Sequence, residues 1–364
     1  MKNTFGNNVH FTLFGESHGQ EIGMVIDGLA PGIKVDEEFI NSQLDKRRPS
    51  GRISTARQEL DPFRIVSGVF NGETTGTPIA IIIPNGNTKS KDYAKLKDLP
   101  RPGHADYTAQ MKYHGFQDYR GGGHFSGRIT TPIVAAGAIA ISALREKGIV
   151  IGTHVKRCAG VDDDNFSDYA KELPELNRKT FAVINKAKEL EMVKAIEAAA
   201  EEGDSVGGIL ETVVTGMPAG VGEPWFDTME SELSHILFSV PAIKGVEFGD
   251  GFAMADMRGS EANDSFYMDG TTVKTKTNHN GGINGGITNG MPIVIKCVVK
   301  PTPSIYKEQD TIDMMKNEDS KLIIEGRHDP AIIHRARVVV DSVVALCLCD
   351  MLCGRYGTDF LGGK

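Results

Sequence analysis

Six short turns in this chain set histidine, arginine or lysine beside glycine or proline, the residue types that move protons and hold anions. In GESHG (15–19) two glycines flank a polar turn at the end of an apolar run and expose His18. An imidazole titrates near about 6.5, so such a side chain can exchange a proton close to neutrality. The serine is misplaced for a GxSxG nucleophile elbow. KRRPSGR (46–52) gathers Lys46, Arg47, Arg48 and Arg52 around Pro-Ser-Gly, with Arg57 beyond; guanidinium forks grip phosphate and carboxylate in bidentate fashion. RPGHAD (101–106) presents Arg101, His104 and Asp106 from one Pro-Gly turn, a histidine between a guanidinium and a carboxylate. DYRGGGHFSGR (118–128) runs three glycines into His124, Ser126 and Arg128 ahead of an apolar helix. Backbone amides near a helix start bind anions, so this segment reads as a phosphate or flavin cradle. It matches neither the P-loop nor the GxGxxG pattern. KPTPS (300–304) and GRHDP (326–330), the latter followed by Arg335 and Arg337, complete the set. Any one string also fits a capping turn or a solvated basic loop. Together, in a chain of formal net charge −8, they point to sites for polyanions with histidines at hand.

That net charge argues against a general nucleic-acid binder, which needs a broad positive field. The 364 residues are long enough for a sizeable core, and 40% hydrophobic with 24% charged residues is ordinary for a globular protein. The 42 glycines sit largely in clusters, which favours close backbone approach to a ligand and tight turns. Cys158, Cys297, Cys347, Cys349 and Cys353 form neither a CxxC pair nor a zinc spacing and read as buried thiols in a reducing compartment. The start of the chain lacks the apolar segment of a signal peptide, and the apolar run 133–144 is short for a membrane span. A cytoplasmic protein without membrane or nucleic-acid partners is the expectation.

The elements that must position these turns follow from periodicity. Strands are predicted over 9–14, 63–70, 79–83, 149–157, 207–216 and 293–299. Helices are predicted over 36–46, 108–115, 131–147, 180–202, 227–239 and 338–352. In the 227–239 helix, Met229, Leu233, Ile236 and Leu237 share one face. Residues 159–177 read as an acidic surface excursion, and 245–290 as a long irregular stretch, which in a compact protein usually serves function. Strands and helices alternate irregularly, predicting an α+β (mixed α/β) layer fold and not a TIM barrel. GGGHFSG (121–127) and GGINGGIT (281–288) echo each other and suggest two pseudo-symmetric halves.

FGESHG, RRP with the following GR, SGVFNGETTGTPI (67–79), RPGHADYT (101–108), DYRGGGHFSGR, KPTPSI and GRHDP occur in the order and spacing of the chorismate synthases. The chain resembles that family over essentially its whole length. The resemblance implies one domain, 1–364, with a β-α-β sandwich core and long irregular flavin-binding loops, assembled as a homotetramer. It implies anti-1,4-elimination of phosphate and the C6 proton from 5-enolpyruvylshikimate 3-phosphate, giving chorismate, with reduced flavin mononucleotide (FMNH2) as cofactor. His18 and His104 match the two functional histidines, one for reduced flavin and one for departing phosphate, and Asp329 matches an aspartate implicated in removing the C6 proton. Arg47 and Arg52 match nucleotide- or anion-binding positions. Flavin contacts map to His124, Phe125, Ser126, Pro241, Ala242, Gly285, Lys300, Pro301, Thr302, Pro303, Ser304 and Arg327. The substrate's two carboxylates and phosphate suit Arg47, Arg48, Arg101, Arg128 and Arg327. The chain departs from the common pattern at GGGHFSGR, at the short Pro-Ser-Gly-Arg, at Asn284 and at AIIHRA after GRHDP. The absence of large insertions implies dependence on an external source of reduced flavin.

Two other classes compete. A non-catalytic polyanion- or RNA-binding protein would use the same arginine turns and show steep salt dependence. A zinc hydrolase built from the ten histidines lacks an HExxH-type spacing.

Overall fold

Isoleucine at every second position makes the strand Ile79–Pro84 two-faced: Ile79, Ile81 and Ile83 point inward and are fully buried. It pairs antiparallel with Glu21–Asp27 on one side and Arg64–Ser67 on the other. His10–Gly15 and Thr4–Phe5 extend the sheet beyond Glu21–Asp27. The second half repeats the plan. Ile293, Ile295, Cys297 and Val299 face inward along Ile293–Val299, which lies between Ile243–Phe248 and Gly208–Thr215; Val150–Cys158 and Val161–Asp162 complete five antiparallel strands. These relations come from a computed structural model that describes residues 2–49, 51, 53, 54, 61–86, 97–324, 326 and 328–362.

Each sheet is followed in the chain by one long apolar helix, Thr130–Glu146 after the first and Ile333–Tyr356 after the second. The two helices pack on each other between the sheets, giving the expected β-α-β layering and two related halves. The segment 127–146 is long and apolar enough to cross a bilayer, yet 89% of it is buried inside the protein. It is a core helix. Gly137 sets the helix crossing, because a Cβ there would fall within 2.6 Å of the Ser342 backbone Cα. Gly137→Val is expected to destabilise the fold by at least about 1–3 kcal/mol through overpacking. Urea denaturation with an unchanged slope would show it; a midpoint equal to the parent's would place the helix contact elsewhere.

Capping explains where helices begin. Asp36 accepts from Phe39 N at 2.9 Å and starts Glu37–Arg47, while Asn185 caps Lys186–Glu201 and leaves 180–184 outside it. The predicted 63–70 strand is split at Gly68, which sits at φ +83 with no room for a side chain. Glu21–Asp27 lacks strict alternation and escaped the periodicity reading, being buried on both faces at its centre. The 245–290 stretch is more regular than expected: it holds most of Ile243–Phe248 and the hairpins Phe266–Asp269 with Thr272–Thr275 and Ile283–Asn284 with Ile287–Thr288. The second of these is what GGINGGIT forms. The five cysteines are buried and free, with burial pushing Cys158 and Cys297 up to about 12.

The acidic excursion 159–177 is not merely surface. It contains the helix Tyr169–Leu176 and is pinned by a buried cluster. His154 Nδ1 donates to Asp163 at 2.7 Å and Nε2 to Glu211 at 3.1 Å, and Asp163 also accepts from the amides of Ile184 and Asn185. Burial opposes charge on the ring, but its bonds to the two carboxylates outweigh this and raise the His154 pKa. Burial likewise opposes charge on Asp163 and Glu211, whose pKa values are nevertheless lowered by His154. The ring's contribution to stability is therefore full below its unfolded value near about 6.5 and lost as pH rises through the raised folded value. The carboxylates contribute above about 4 and lose this as pH falls. His154→Gln should cost about 3–5 kcal/mol near neutrality or just below it, and the gap should shrink at alkaline pH in urea denaturation. A gap independent of pH would mean the ring is neutral.

Candidate active site

The three glycines after Arg120 occupy the left-handed region, with φ of +61, +82 and +54, which only glycine adopts without strain. That conformation brings two distant histidines onto one short run. A Cβ on Gly121 would overlap the His18 ring, and one on Gly122 would lie 3.2 Å from His104 Cε1. The amide of Ser17 donates to Gly123 O at 3.1 Å and docks the GESHG turn there. His124 joins them: its Nδ1 lies 2.7 Å from Gly15 O, and since a carbonyl only accepts, Nδ1 carries the proton. His18 and His104 thus flank the same backbone, one buried and one half-buried.

His104 is held by its own turn. Arg101 clamps Asp106 through Nε and Nη2, both at 2.8 Å, and His104 Nδ1 lies 2.8 Å from Asp106 Oδ1. Arg101 Nη2 is also 3.0 Å from that Nδ1. Burial would raise the Asp106 pKa, but bonds from Arg101 and His104 hold it well below the usual carboxylate range. An ionised Asp106 favours a proton on Nδ1 and turns Nε2 to chemistry.

The basic turn is organised by a residue the sequence reading missed. Asp61 is buried at φ +46 and its carboxylate accepts from Arg47 Nη2 at 3.2 Å and from Arg128 Nη1. Arg48 Nε lies 3.9 Å away. Arg128 also donates to Asn85 Oδ1 at 3.0 Å and to Pro84 O at 3.1 Å. Burial lowers the Arg47 pKa to about 10, partly countered by Asp61. No local pattern marked Asp61, since its partners come from segments well before and well after it. Arg52 and Arg57 lie outside the described residues.

The remaining predicted positions fall into four groups. Lys300 N donates to Ala242 O at 2.9 Å and Lys300 Nζ to Gly103 O. A Cβ on Gly103 would be 3.5 Å from Pro303. Pro241, Ala242 (φ +76) and Lys300 to Ser304 therefore adjoin the His104 turn. Ser205 Oγ anchors Thr302 O at 2.7 Å, and a Cβ on Gly207 would lie 2.9 Å from Pro301. Asp329 pairs with Arg335 at 2.6 Å, and Arg335 Nε donates to Arg47 O at 2.7 Å, joining GRHDP to the basic turn. Arg327 lies outside the described residues. Phe125 packs edge-on against Tyr113, and Ser126 Oγ accepts from Arg128 N at 3.3 Å. Gly285 lies in a hairpin whose Gly286 O accepts from Met229 N at 2.9 Å.

The sequence profile described as "Chorismate synthase" matches residues 9–353. The chain belongs to the chorismate synthase family. A chorismate synthase from Pyrococcus abyssi is 47% identical over 349 residues, 95% of this chain and 96% of that one. Another, from Thermococcus kodakarensis, is 44% identical over 352 residues, covering 96% and 97%. A solved crystal structure of chorismate synthase superposes with TM-score 0.76 at 27% identity, covering 98% of this chain and 95% of that one. Membership of this family makes the chain a lyase of aromatic amino-acid biosynthesis. Nothing in these likenesses supports a polyanion-binding role.

The residues present fit a flavin of the kind the family resemblance implies. Phe125 keeps 37% of its surface exposed, prolines 301 and 303 offer apolar faces, and Lys300 supplies a cation. The Thr302 hydroxyl is buried without a hydrogen-bond partner among the described residues, which is costly unless a ligand completes it.

Proposed function

We propose that this chain converts 5-enolpyruvylshikimate 3-phosphate to chorismate and inorganic phosphate, by anti-1,4-elimination of phosphate and the C6 proton, with reduced FMN as cofactor. It is a carbon–oxygen lyase folded as one domain, 1–364. The reading rests above all on the meeting of His18 and His104 at Gly121 and Gly122.

Reduced flavin, when bound, supplies electron density as phosphate departs and recovers it afterwards. The residues that would hold it are His124, Phe125, Ser126, Pro241, Ala242 and Lys300 to Ser304, with Gly285 and Arg327. Arg47, Arg48, Arg101 and Arg128, with Arg52 and Arg327, supply the positive field that receives two carboxylates and a phosphate. His18 and His104 divide the two proton transfers, one to the reduced cofactor and one to the leaving phosphate. His104 is oriented for this by Asp106, with Nε2 as the working atom. Asp329, steadied by Arg335, takes part in removing the C6 proton. Fixed groups around the substrate act mainly by position and charge.

The protein is a cytoplasmic homotetramer that draws reduced flavin from an external source. Trp225, 84% exposed, and Phe226, 90% exposed, support assembly, because such rings are usually covered in a working oligomer. The deciding test is anaerobic incubation with 5-enolpyruvylshikimate 3-phosphate and chemically reduced FMN, with oxidised FMN as control. Equal chorismate and phosphate, formed only with the reduced cofactor, is the expected result. No turnover and no flavin binding would overturn the proposal.

A further inference from the structure

Away from the histidines, the helix Glu37–Arg47, the end of Thr130–Glu146 and the segment after Tyr169–Leu176 enclose a cleft of about 690 Å³. Three cations line it: Lys46, Arg145 and Arg178. Among the described residues none of the three has a carboxylate within ion-pairing distance. Asp45, the one acid on the rim, is engaged by Arg48. Behind the cleft Arg337, 1% exposed, adds a fourth cation whose Nε is buried without a hydrogen-bond partner among the described residues. Its nearest counter-charge, Asp341, is 3.7 Å away and also accepts from Thr153 Oγ1 at 2.6 Å. Four cations around one buried carboxylate, in a chain of net charge −8, repel one another unless an anion joins them.

We propose that this cleft is a second anion site, separate from the elimination site, that takes a small phosphate-bearing molecule between Lys46, Arg145 and Arg178. The chemistry is specific in outline. Arg145 already lies over the Phe39 ring at 4.6 Å, which holds its guanidinium plane at the cleft wall. Lys46 is drawn in by Gln43, to which its Nζ donates at 3.1 Å. The Asn177 amide and the Ser42 hydroxyl are committed to Ile151 O and Phe39 O, so the charge is left to the three cations. That selects a multiply charged head group over a neutral polar one. The electrostatic state of Lys46 agrees: burial, with Arg337 and then Arg145 nearby, lowers its pKa to about 8, against the opposing pull of Asp341. An anion in the cleft would raise it again and cover the amine.

Lys46 therefore serves as a local reporter that active-site binding of the same anion does not imitate. Acylation of lysines in the whole protein near pH 8 is followed residue by residue by peptide mass spectrometry. Inorganic pyrophosphate is the probe, with sodium chloride at matched ionic strength as control. In the parent, pyrophosphate is expected to slow Lys46 acylation about fivefold, as a raised amine pKa and a covered nitrogen require, and to leave exposed Lys186 unchanged. Arg145→Gln/Arg178→Gln should abolish the protection while turnover stays at the parent level. Arg178→Gln alone, which leaves the Phe39 contact intact, should lose part of it. Protection that persists in the double variant, or a parent Lys46 rate indifferent to pyrophosphate, would overturn the proposal.

Discussion

His104→Ala is expected to lower kcat by about 100-fold or more, the usual scale for removing a positioned proton donor. The companion change Asp106→Asn should lower kcat by about 10- to 100-fold, the loss of one charge-assisted hydrogen bond worth roughly 1.5–3 kcal/mol. The reason lies in the turn itself. With the carboxylate gone, Arg101 Nη2, 3.0 Å from His104 Nδ1, becomes the dominant partner of that nitrogen. Arginine only donates, so Nδ1 must then accept, and the tautomer is reversed. KM should change little in Asp106→Asn if Asp106 only positions the ring, and single-turnover chorismate formation under anaerobic conditions separates the two effects. Activity of His104→Ala within about twofold of the parent would remove His104 from proton transfer.

The second large effect is on stability. Asp61→Asn removes the carboxylate that the buried Arg47 and Arg128 share at the centre of the basic turn. Stranding buried charge in this way costs about 3–5 kcal/mol, a large part of the margin of an ordinary domain. Urea denaturation should show an earlier midpoint. Burial on its own would raise the Asp61 pKa, but Arg47 and Arg128 overcome it and lower the value. The stabilisation is therefore present above the unfolded value near about 4 and is lost as pH falls through the lowered folded value. The gap between parent and variant should close in acid. A variant as stable as the parent near neutrality would mean that water already compensates the two guanidiniums.

Much of the site was legible before any coordinates because its parts are local. Pro-Gly and triple-glycine strings fix turns, and a turn places its own neighbours, so Arg101, His104 and Asp106 could be read as one unit. Chain spacing likewise put Lys300 to Ser304 in one loop. The GGINGGIT echo misled, because glycine pairs also make tight hairpins, and Gly285 and Gly286 form one. The 159–177 segment looked like surface because its composition is acidic, yet Asp163 is turned inward to a histidine from a neighbouring strand. Composition describes a segment's average, while one buried ion pair decides how the segment docks.

The sequence by itself determined the helix start at Asp36, the inward faces of the isoleucine strands, the buried central helices and the conformation of the glycine run. Each depends on a few adjacent residues and on backbone or solvent preferences that act within them. Only the tertiary structure decided that His18 and His104 share that run, that Asp61 joins Arg47 to Arg128, and that Asp329 reaches the basic turn through Arg335. These pairings join segments far apart in the chain. No local preference selects them; they follow from which faces the two sheets and the central helices must bury together.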